Sequence, residues 1–421
     1  MSVGPPEVAN ARLETIPAGW SITKLGRTAR IGNGSTPRRE KREYWDHGVV
    51  PWLNSSVVNQ ARVGSSAESV AAAALAECHL PIISPGSVLV GLTGQGKTRG
   101  MATILDIEAT VNQHLAYVTP DRSRWCPEFL LWSLTAAYHD LRRISEENGS
   151  TKGGLTCEAL KQLRVLVPPI DEQRRIAFHL NEQAAKTDTL IEEQQRLIEL
   201  LRERRGAVVS EAIGTCWSQT RLGHVLVGIK DGTHGSFERR ASGEGRPLLG
   251  ARNVMNGAVV IDGQESFISD ADAESIVANG YPSHGDVLLV IVGATIGKTA
   301  LYELDERHAF QRSVAFLRTN DLVDSRFLWR QIQSKRFQDE LALRAKTSAQ
   351  PGIYMGDVVA IPVYVPPIEH QRRIAAGLDR QIAKIDALIA ETERFIELSK
   401  ERRAALVAAA VTGQIDVREV A

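Results

Sequence analysis

One stretch of this chain is written twice, and everything else has to accommodate the repetition. Residues 165–212 and 363–410 align without a gap at a constant offset of 198, with 28 identities in 48 positions. The copies open on Val165-Leu166-Val167-Pro168-Pro169-Ile170 and Val363-Tyr364-Val365-Pro366-Pro367-Ile368, and both continue through Gln-Arg-Arg-Ile. A duplication of this length means two equivalent structural units, and it has to be recognised before any local pattern is read.

Each copy reads as one long helix. A double proline suits a helix start, because proline is tolerated at the first helical position and excluded further in. Asp171 and Glu172, or Glu369, then fall in the first turn and complement the helix dipole. Ile176, Leu180, Gln183, Thr187, Leu190, Gln194, Leu197 and Leu201 step by four and three. Ile374, Leu378, Gln381, Ile385, Leu388, Thr392, Phe395 and Ser399 repeat the steps. This is a heptad seam with polar interruptions, widened by Ile191, Ile198, Ile389 and Ile396. A helix of about 45 residues is roughly 65 Å long. Neither helix can bury its stripe alone, so the two are expected to pack on each other.

A chain of 421 residues exceeds one hydrophobic core. Lys+Arg and Asp+Glu balance at 50 each, so any nucleic-acid surface has to be a local patch. Cys78, Cys126, Cys157 and Cys216 are far apart with no CxxC, which suggests neither a zinc site nor a disulfide framework and fits a reducing compartment. The N-terminus has no apolar h-region and no run of 18 apolar residues occurs, so a cytoplasmic protein is expected.

The repetition continues more faintly outside the helices. Trp20–Gly26 matches Trp217–Gly223, Pro85–Val90 matches His284–Leu289, and Asn112–Tyr117 matches Gln311–Phe316. The plan is therefore domain, helix, domain, helix: residues 1–164, 165–213, 214–364 and 365–421. Val88–Leu92 and Val287–Val292 are apolar runs bounded by glycine and suit buried strands. Phe129–Ile144 and Phe327–Leu343 carry helical spacing. Gly32–Pro37, Gly149–Gly154 and Gly228–Gly235 read as loops. The expected fold class is α+β, with two globular α/β domains alternating with two long helices that pack on each other as a coiled coil, an internal repeat.

Gly91-Leu92-Thr93-Gly94-Gln95-Gly96-Lys97-Thr98 satisfies the phosphate-loop pattern GxxxxGK[ST]. That chemistry needs a helix opening after the lysine, so that its first amides face the phosphates. Arg99–Asp106 instead looks like a turn into another strand, and the duplicate Gly293–Thr299 has lost the spacing. A nucleotide-binding enzyme built on Lys97 is thus the lesser alternative, and a scaffold that touches no DNA is a second.

Matching loops of both globular units carry side chains used on DNA. The first has Asn33, Arg38, Arg39, Lys41, Arg42, Tyr44, Trp45, Asn54, Gln95, Lys97, Arg99 and Lys152. The second has Lys230, Thr233, His234, Arg239, Arg240, Arg252, Asn253, Lys298, Arg312 and Lys346. Arg and Lys neutralise phosphates, and Arg, Asn and Gln also read base edges. Any one of them is more readily a solvated charge; their recurrence in corresponding loops raises the group. His234 lacks Cys or His neighbours, so a structural or DNA-contact role is preferred to a metal ligand. Gln173, Arg174 and Arg175, with Gln371, Arg372 and Arg373, read either as a polar helix face or as a partner surface. There is no GxSxG, HExxH or [DN]PP[YF], and no catalytic or metal constellation is expected.

The Val-Pro-Pro-Ile…Gln-Arg-Arg-Ile helices, Lys230-Asp231-Gly232-Thr233-His234, Gln311–Phe316 and Gly352–Pro367 together resemble the specificity subunit of type I restriction–modification enzymes, over essentially the whole chain. The resemblance implies two target-recognition domains, each reading half of a split double-stranded DNA site, related by a pseudo-two-fold repeat, with the two helices forming an antiparallel coiled coil that sets the spacing. It implies docking of two DNA adenine methyltransferase (modification) subunits, joined by motor-nuclease (restriction) subunits. S-adenosylmethionine, ATP and Mg are then used by those partners, and this chain holds no cofactor and no catalytic activity. Gly32–Pro37 departs from the Lys-Asp-Gly-Thr-His form, which weakens the transfer of contacts to the first unit.

Overall fold

The computed structural model describes residues 16–94, 96–147, 154–214, 217–346 and 351–415. The chain divides into two compact units: residues 1–193 with 395–421, and residues 194–394. Both long helices, Ile170–Ile213 and Ile368–Val411, are therefore shared out between the units. Each unit holds one globular domain, the start of its own helix and the end of the other.

In the first unit the apolar run Val88–Gly91 is fully buried at the centre of a five-stranded sheet. Its spatial order is Ala29–Asn33, Leu115–Pro120, Val88–Gly91, Ala102–Leu105, Arg62–Val63. Glu68–Val70, Val50–Leu53 and Thr110–Val111 make a second, three-stranded sheet. In the second unit Val287–Val290 is the matching buried strand. It lies in a sheet ordered Leu226–Asp231, Val314–Thr319, Val287–Val290, Thr299–Leu301, beside a three-stranded sheet of Ser266–Ile268, Arg246–Leu249 and Ala309–Phe310. The single helical stretch expected after each sheet is broken in two: Pro127–Ala136 and Tyr138–Glu147, then Ser325–Ile332 and Lys335–Arg344. The second break falls at Ser334, whose hydroxyl accepts from the Phe337 amide and caps a new helix.

Both long helices start one residue beyond the double proline, with Pro169 and Pro367 supplying the first acceptor carbonyls. The next turn carries an internal clamp. Gln173 is fully buried; its Oε1 accepts from the Cys126 amide at 2.9 Å, and its Nε2 donates to the Arg124 carbonyl at 2.8 Å and the Pro168 carbonyl at 2.9 Å. Gln371 repeats every bond 198 residues on, with the Asp324 amide, the Leu322 carbonyl and the Pro366 carbonyl at 2.8, 2.9 and 2.7 Å. Gln173 and Gln371 thus have no surface to offer a partner, which corrects that expectation. Arg174, Arg175, Arg372 and Arg373 are exposed.

Each core draws on both helices. In the first unit Ala177, Leu180 and Ala184 pack in one cluster with Val407, Ala410 and Val411. In the second, Ala375, Leu378 and Ile382 pack with Val208, Val209 and Ile213. Within the second unit Arg202 pairs with Glu393 and Arg205 with Asp386, at 3.2 and 3.1 Å. Residue numbers rise along one helix as they fall along the other, so there the helices run antiparallel. Asp188 pairs with Arg403 in the first unit. The seam differs from the expected one in the middle of each helix: Ile198 and Ile396 are buried, while Leu197 and Phe395 are 41% and 43% exposed. Both helices end on a glycine of positive φ, Gly214 at +65° and Gly413 at +70°. A Cβ on Gly413 would stand 2.4 Å from Pro17 Cγ, so the end of the second helix lies against the first described residues.

Gln371→Leu should strand one buried amide and two carbonyls and lower stability by about 2–4 kcal/mol in urea unfolding. Arg372→Ala, which removes only surface ion pairs with Glu369 at 2.9 Å and Asp324 at 4.0 Å, should change it by less than about 0.5 kcal/mol. Equal effects would deny the clamp its role.

Candidate nucleic-acid interface

The loops of each unit converge where the strands of its two sheets end. In the first unit the strand Ala29–Asn33 runs into Gly34, which presses on the neighbouring turn so closely that a Cβ would stand 1.9 Å from the Val111 carbonyl oxygen. The Gly34 amide donates to the Asn112 carbonyl. Asn33 Nδ2 donates to the Gln113 carbonyl at 3.3 Å, and Thr36 Oγ1 to Gln113 Oε1 at 2.7 Å. Gln113 Nε2 lies 3.2 Å from His114 Nε2, and His114 Nδ1 lies 3.0 Å from Thr93 Oγ1. An amide nitrogen only donates, so in this arrangement His114 Nε2 accepts and its Nδ1–H faces Thr93. One polar chain therefore joins three loops.

The second unit builds the same edge from different side chains. Gly232 takes the place of Gly34, with a Cβ position 2.2 Å from the Phe310 carbonyl oxygen. The Thr233 amide donates to that carbonyl at 2.7 Å, and the Arg312 amide to the Thr233 carbonyl at 3.0 Å. His234 is exposed, with Nε2 2.8 Å from Asp231 Oδ2. Lys346 lies 4.3 Å from the Tyr354 ring centroid, and pairing of Lys346 and Val292 with Gly352 closes the edge.

The sequence-nominated residues divide into those free to meet a ligand and those already committed. Arg38, Arg42, Lys97, Lys230, Arg239, Arg240, Lys298 and Arg312 are exposed, with no side-chain ion pair to an acid recorded among the described residues. Arg39 instead forms a bidentate pair with Glu68 and stacks on Trp45 and Trp52, 4.0 and 5.1 Å from the ring centroids. The hydrogen bond to Glu68 raises the Arg39 pKa and lowers that of Glu68. Lys41 and Tyr44 share Glu77 at 2.8 and 2.6 Å, which lowers the Glu77 pKa and raises both of theirs. Tyr44 is buried, contrary to its nomination as a contact.

Trp45 is half-buried and donates to the Arg38 carbonyl. Asn54 caps the short helix Ser55–Asn59, and Arg99 is buried beside Glu146. Asn253 is buried and spends its amide on Gly250, Val260 and Glu265, so it is structural and not a contact. Arg252 pairs with Asp262 at 3.1 Å. Gln95 and Lys152 lie outside the described residues.

Thr36, Thr93, Gln113, His114, Gln311 and Ser313 were not nominated. The usable signal was the alignment of Asn112–Tyr117 with Gln311–Phe316: the strand residues agree in character while the three residues before them do not.

The phosphate-loop reading is replaced by a hairpin. Val88–Gly91 and Ala102–Leu105 pair antiparallel, and the helix that would present its amides to a phosphate is absent after Lys97. The tip is tied down by Tyr138, whose hydroxyl donates to the Lys97 carbonyl, and by Arg142, which donates to the Gly96 carbonyl. Among the described residues no group of three or more His, Cys, Asp or Glu is placed to hold a metal, and no helix is long and apolar enough to cross a membrane.

The family described as type I restriction modification DNA specificity domain matches residues 17–200 and 250–398. The EcoR124I/EcoR124II specificity subunit of Escherichia coli is 23% identical over 177 residues, 42% of this chain and 44% of that protein. The match thus spans less than half the length of that curated relative. The MjaVIII specificity subunit of Methanocaldococcus jannaschii is 23% identical over 319 residues, 69% of this chain and 71% of that one. Two solved structures share the fold. A chain of a type I R-M system has a TM-score of 0.75 at 18% identity, covering 95% of this chain and 100% of its own. The HsdS subunit of Thermoanaerobacter tengcongensis has 0.54 at 19%, covering 96% and 99%.

The hairpin carries a direct expectation. Millimolar ATP with Mg should leave the melting temperature of the chain, and of Lys97→Ala, unchanged, since a ligand bound only by the folded state raises it. A rise abolished by Lys97→Ala would restore the phosphate loop.

Proposed function

The chain belongs to the type I restriction–modification DNA specificity family, and from that premise we propose that its two units are separate readers of one bipartite, asymmetric DNA site. The observation that carries this is the contrast between frame and edge. The Gln173 and Gln371 clamps match bond for bond. The strand-end side chains do not: Asn33, Thr36 and Gln113 stand where the other unit has Asp231, His234 and Arg312. A repeated frame suits a repeated partner, and unlike edges suit unlike half-sites. The unpaired cations at these edges supply phosphate contacts, while continuous 44-residue helices supply a stiff spacer.

The partners in this reading are two copies of a DNA adenine methyltransferase subunit, with a motor-nuclease subunit joining them. Leu197 and Leu200 in the second unit, and the equivalent Phe395 and Leu398 in the first, are 41–55% exposed. Large apolar side chains left in water at equivalent positions favour capture of the same partner twice. The exposed Arg174, Arg175, Arg372 and Arg373, at the helix starts, offer a further surface to that partner. Catalysis belongs to the partners, which use S-adenosylmethionine, ATP and Mg. A scaffold that ignores DNA would bind its partners without the steep salt dependence of phosphate neutralisation.

Replacing residues 214–364 with the corresponding domain of a relative should change one half of the motif methylated by the reconstituted complex and leave the other half intact. A change in both halves, or in neither, would reject independent readers.

A fragment ending at Gly214 should dimerise. Without the second helix its core lacks Val407, Ala410 and Val411, but a second copy offers Val209, Ala212 and Ile213 in their place. Exposed apolar area favours such reburial at roughly 25 cal/mol per Å², and two identical readers impose a palindromic motif. A fragment that stays monomeric at tens of micromolar, alone and with the methyltransferase subunit, would contradict this.

A further inference from the structure

We propose that Gln113 and Arg312 are equivalent base-reading residues, so that the first half-site carries an adenine at the step where the second carries a guanine. The assignment rests on the reading of the units as DNA readers and adds the chemistry of one contact in each.

The equivalence is geometric. Each residue is the second of a tight turn: the Leu115 amide returns to the Asn112 carbonyl, and the Val314 amide to the Gln311 carbonyl. Each turn is followed by the same cross-strand bond, Leu92 amide to His114 carbonyl and Ile291 amide to Ser313 carbonyl. Each turn is also held from the other side by the glycine loop, through Asn33 to the Gln113 carbonyl and through the Arg312 amide to Thr233. Both side chains are exposed at the strand ends.

Their chemistry differs in a way that bases distinguish. Gln113 is held at both atoms of its amide, Oε1 by Thr36 and Nε2 by His114, and His114 is set in turn by Thr93. Each bond uses half the capacity of its atom, leaving one acceptor and one donor side by side. That pair complements adenine, whose N6 donates and whose N7 accepts on the major-groove edge. Arg312 has no recorded side-chain partner among the described residues, and its guanidinium offers two parallel donors, the complement of guanine O6 and N7. Thr36 and His114 are positioning residues: they contribute orientation, not a contact.

The test uses the full chain assembled with its methyltransferase subunits, selecting from DNA with randomised half-sites. Gln113→Arg should change one position of the first half from adenine to guanine and leave the second half as it was; Arg312→Gln should do the reverse in the second half. Thr36→Val should cut discrimination at the Gln113 position by about fivefold or more while leaving affinity for non-specific DNA unchanged. If Gln113→Arg binds nothing, Gln113→Ala decides: a preference relaxed at that single position supports the assignment, and an unrelaxed one overturns it. A wild-type complex that selects a bipartite motif untouched by these variants overturns the assignment and leaves the two-reader function standing. A wild-type complex that selects no motif overturns both.

Discussion

Two buried amide side chains hold this protein to its plan. Gln173 and Gln371 sit where a globular domain meets the helix it feeds, and each joins the helix start to the loop that leads into the following helix pair of its domain. A glutamine suits this place because it supplies two donors and an acceptor at the end of a long side chain, without the desolvation penalty of a charge. Unmet backbone groups at a buried helix start are costly, so the clamp fixes the angle at which the helix leaves. The apolar contacts of Leu180 and Leu378 in the next turns have their partners only if that angle is kept.

Much of the architecture was legible because duplication doubles every signal. The long helices, their proline starts and the buried strands at Val88 and Val287 were read from the sequence and are present. The seam was read less well. A four-and-three stepping rule follows Leu190 to Leu197, whereas the structure buries Ile198 and turns Leu197 outward. Both are aliphatic, so composition could not separate a core position from a flanking one. The clamp was missed for a related reason: a glutamine among arginines on the first turn reads as surface, and only a three-dimensional neighbour 47 residues away makes it interior.

Charge explains why the site was harder still. The chain balances its acids and bases, and many nominated cations are consumed locally: Arg39 by Glu68, Lys41 by Glu77, Arg252 by Asp262. Such pairs add little stability at the surface, but they hold aromatic and loop segments in place and lower the local field. What remains uncompensated is a smaller set, including Lys97, Lys298 and Arg312, that no count of Lys and Arg could have isolated. The polar chain from Thr36 to Thr93 draws on three loops spread over many residues, so its members share no motif.

The close approach of Gly413 to Pro17 has a consequence for how a chain of this kind can be written. The second helix ends against the start of the first domain, just as the first helix runs through Gly214 into the second. The end of the second helix and the start of the first domain are therefore neighbours within the first unit, close enough for a short linker to join them. Opening the chain instead at Gly214, and bridging Gly413 to Pro17 with a short linker, would leave every clamp and seam contact on the same pair of side chains. Chain order and architecture are decoupled at that junction, and a circular permutation there reorders the gene without rewriting the fold.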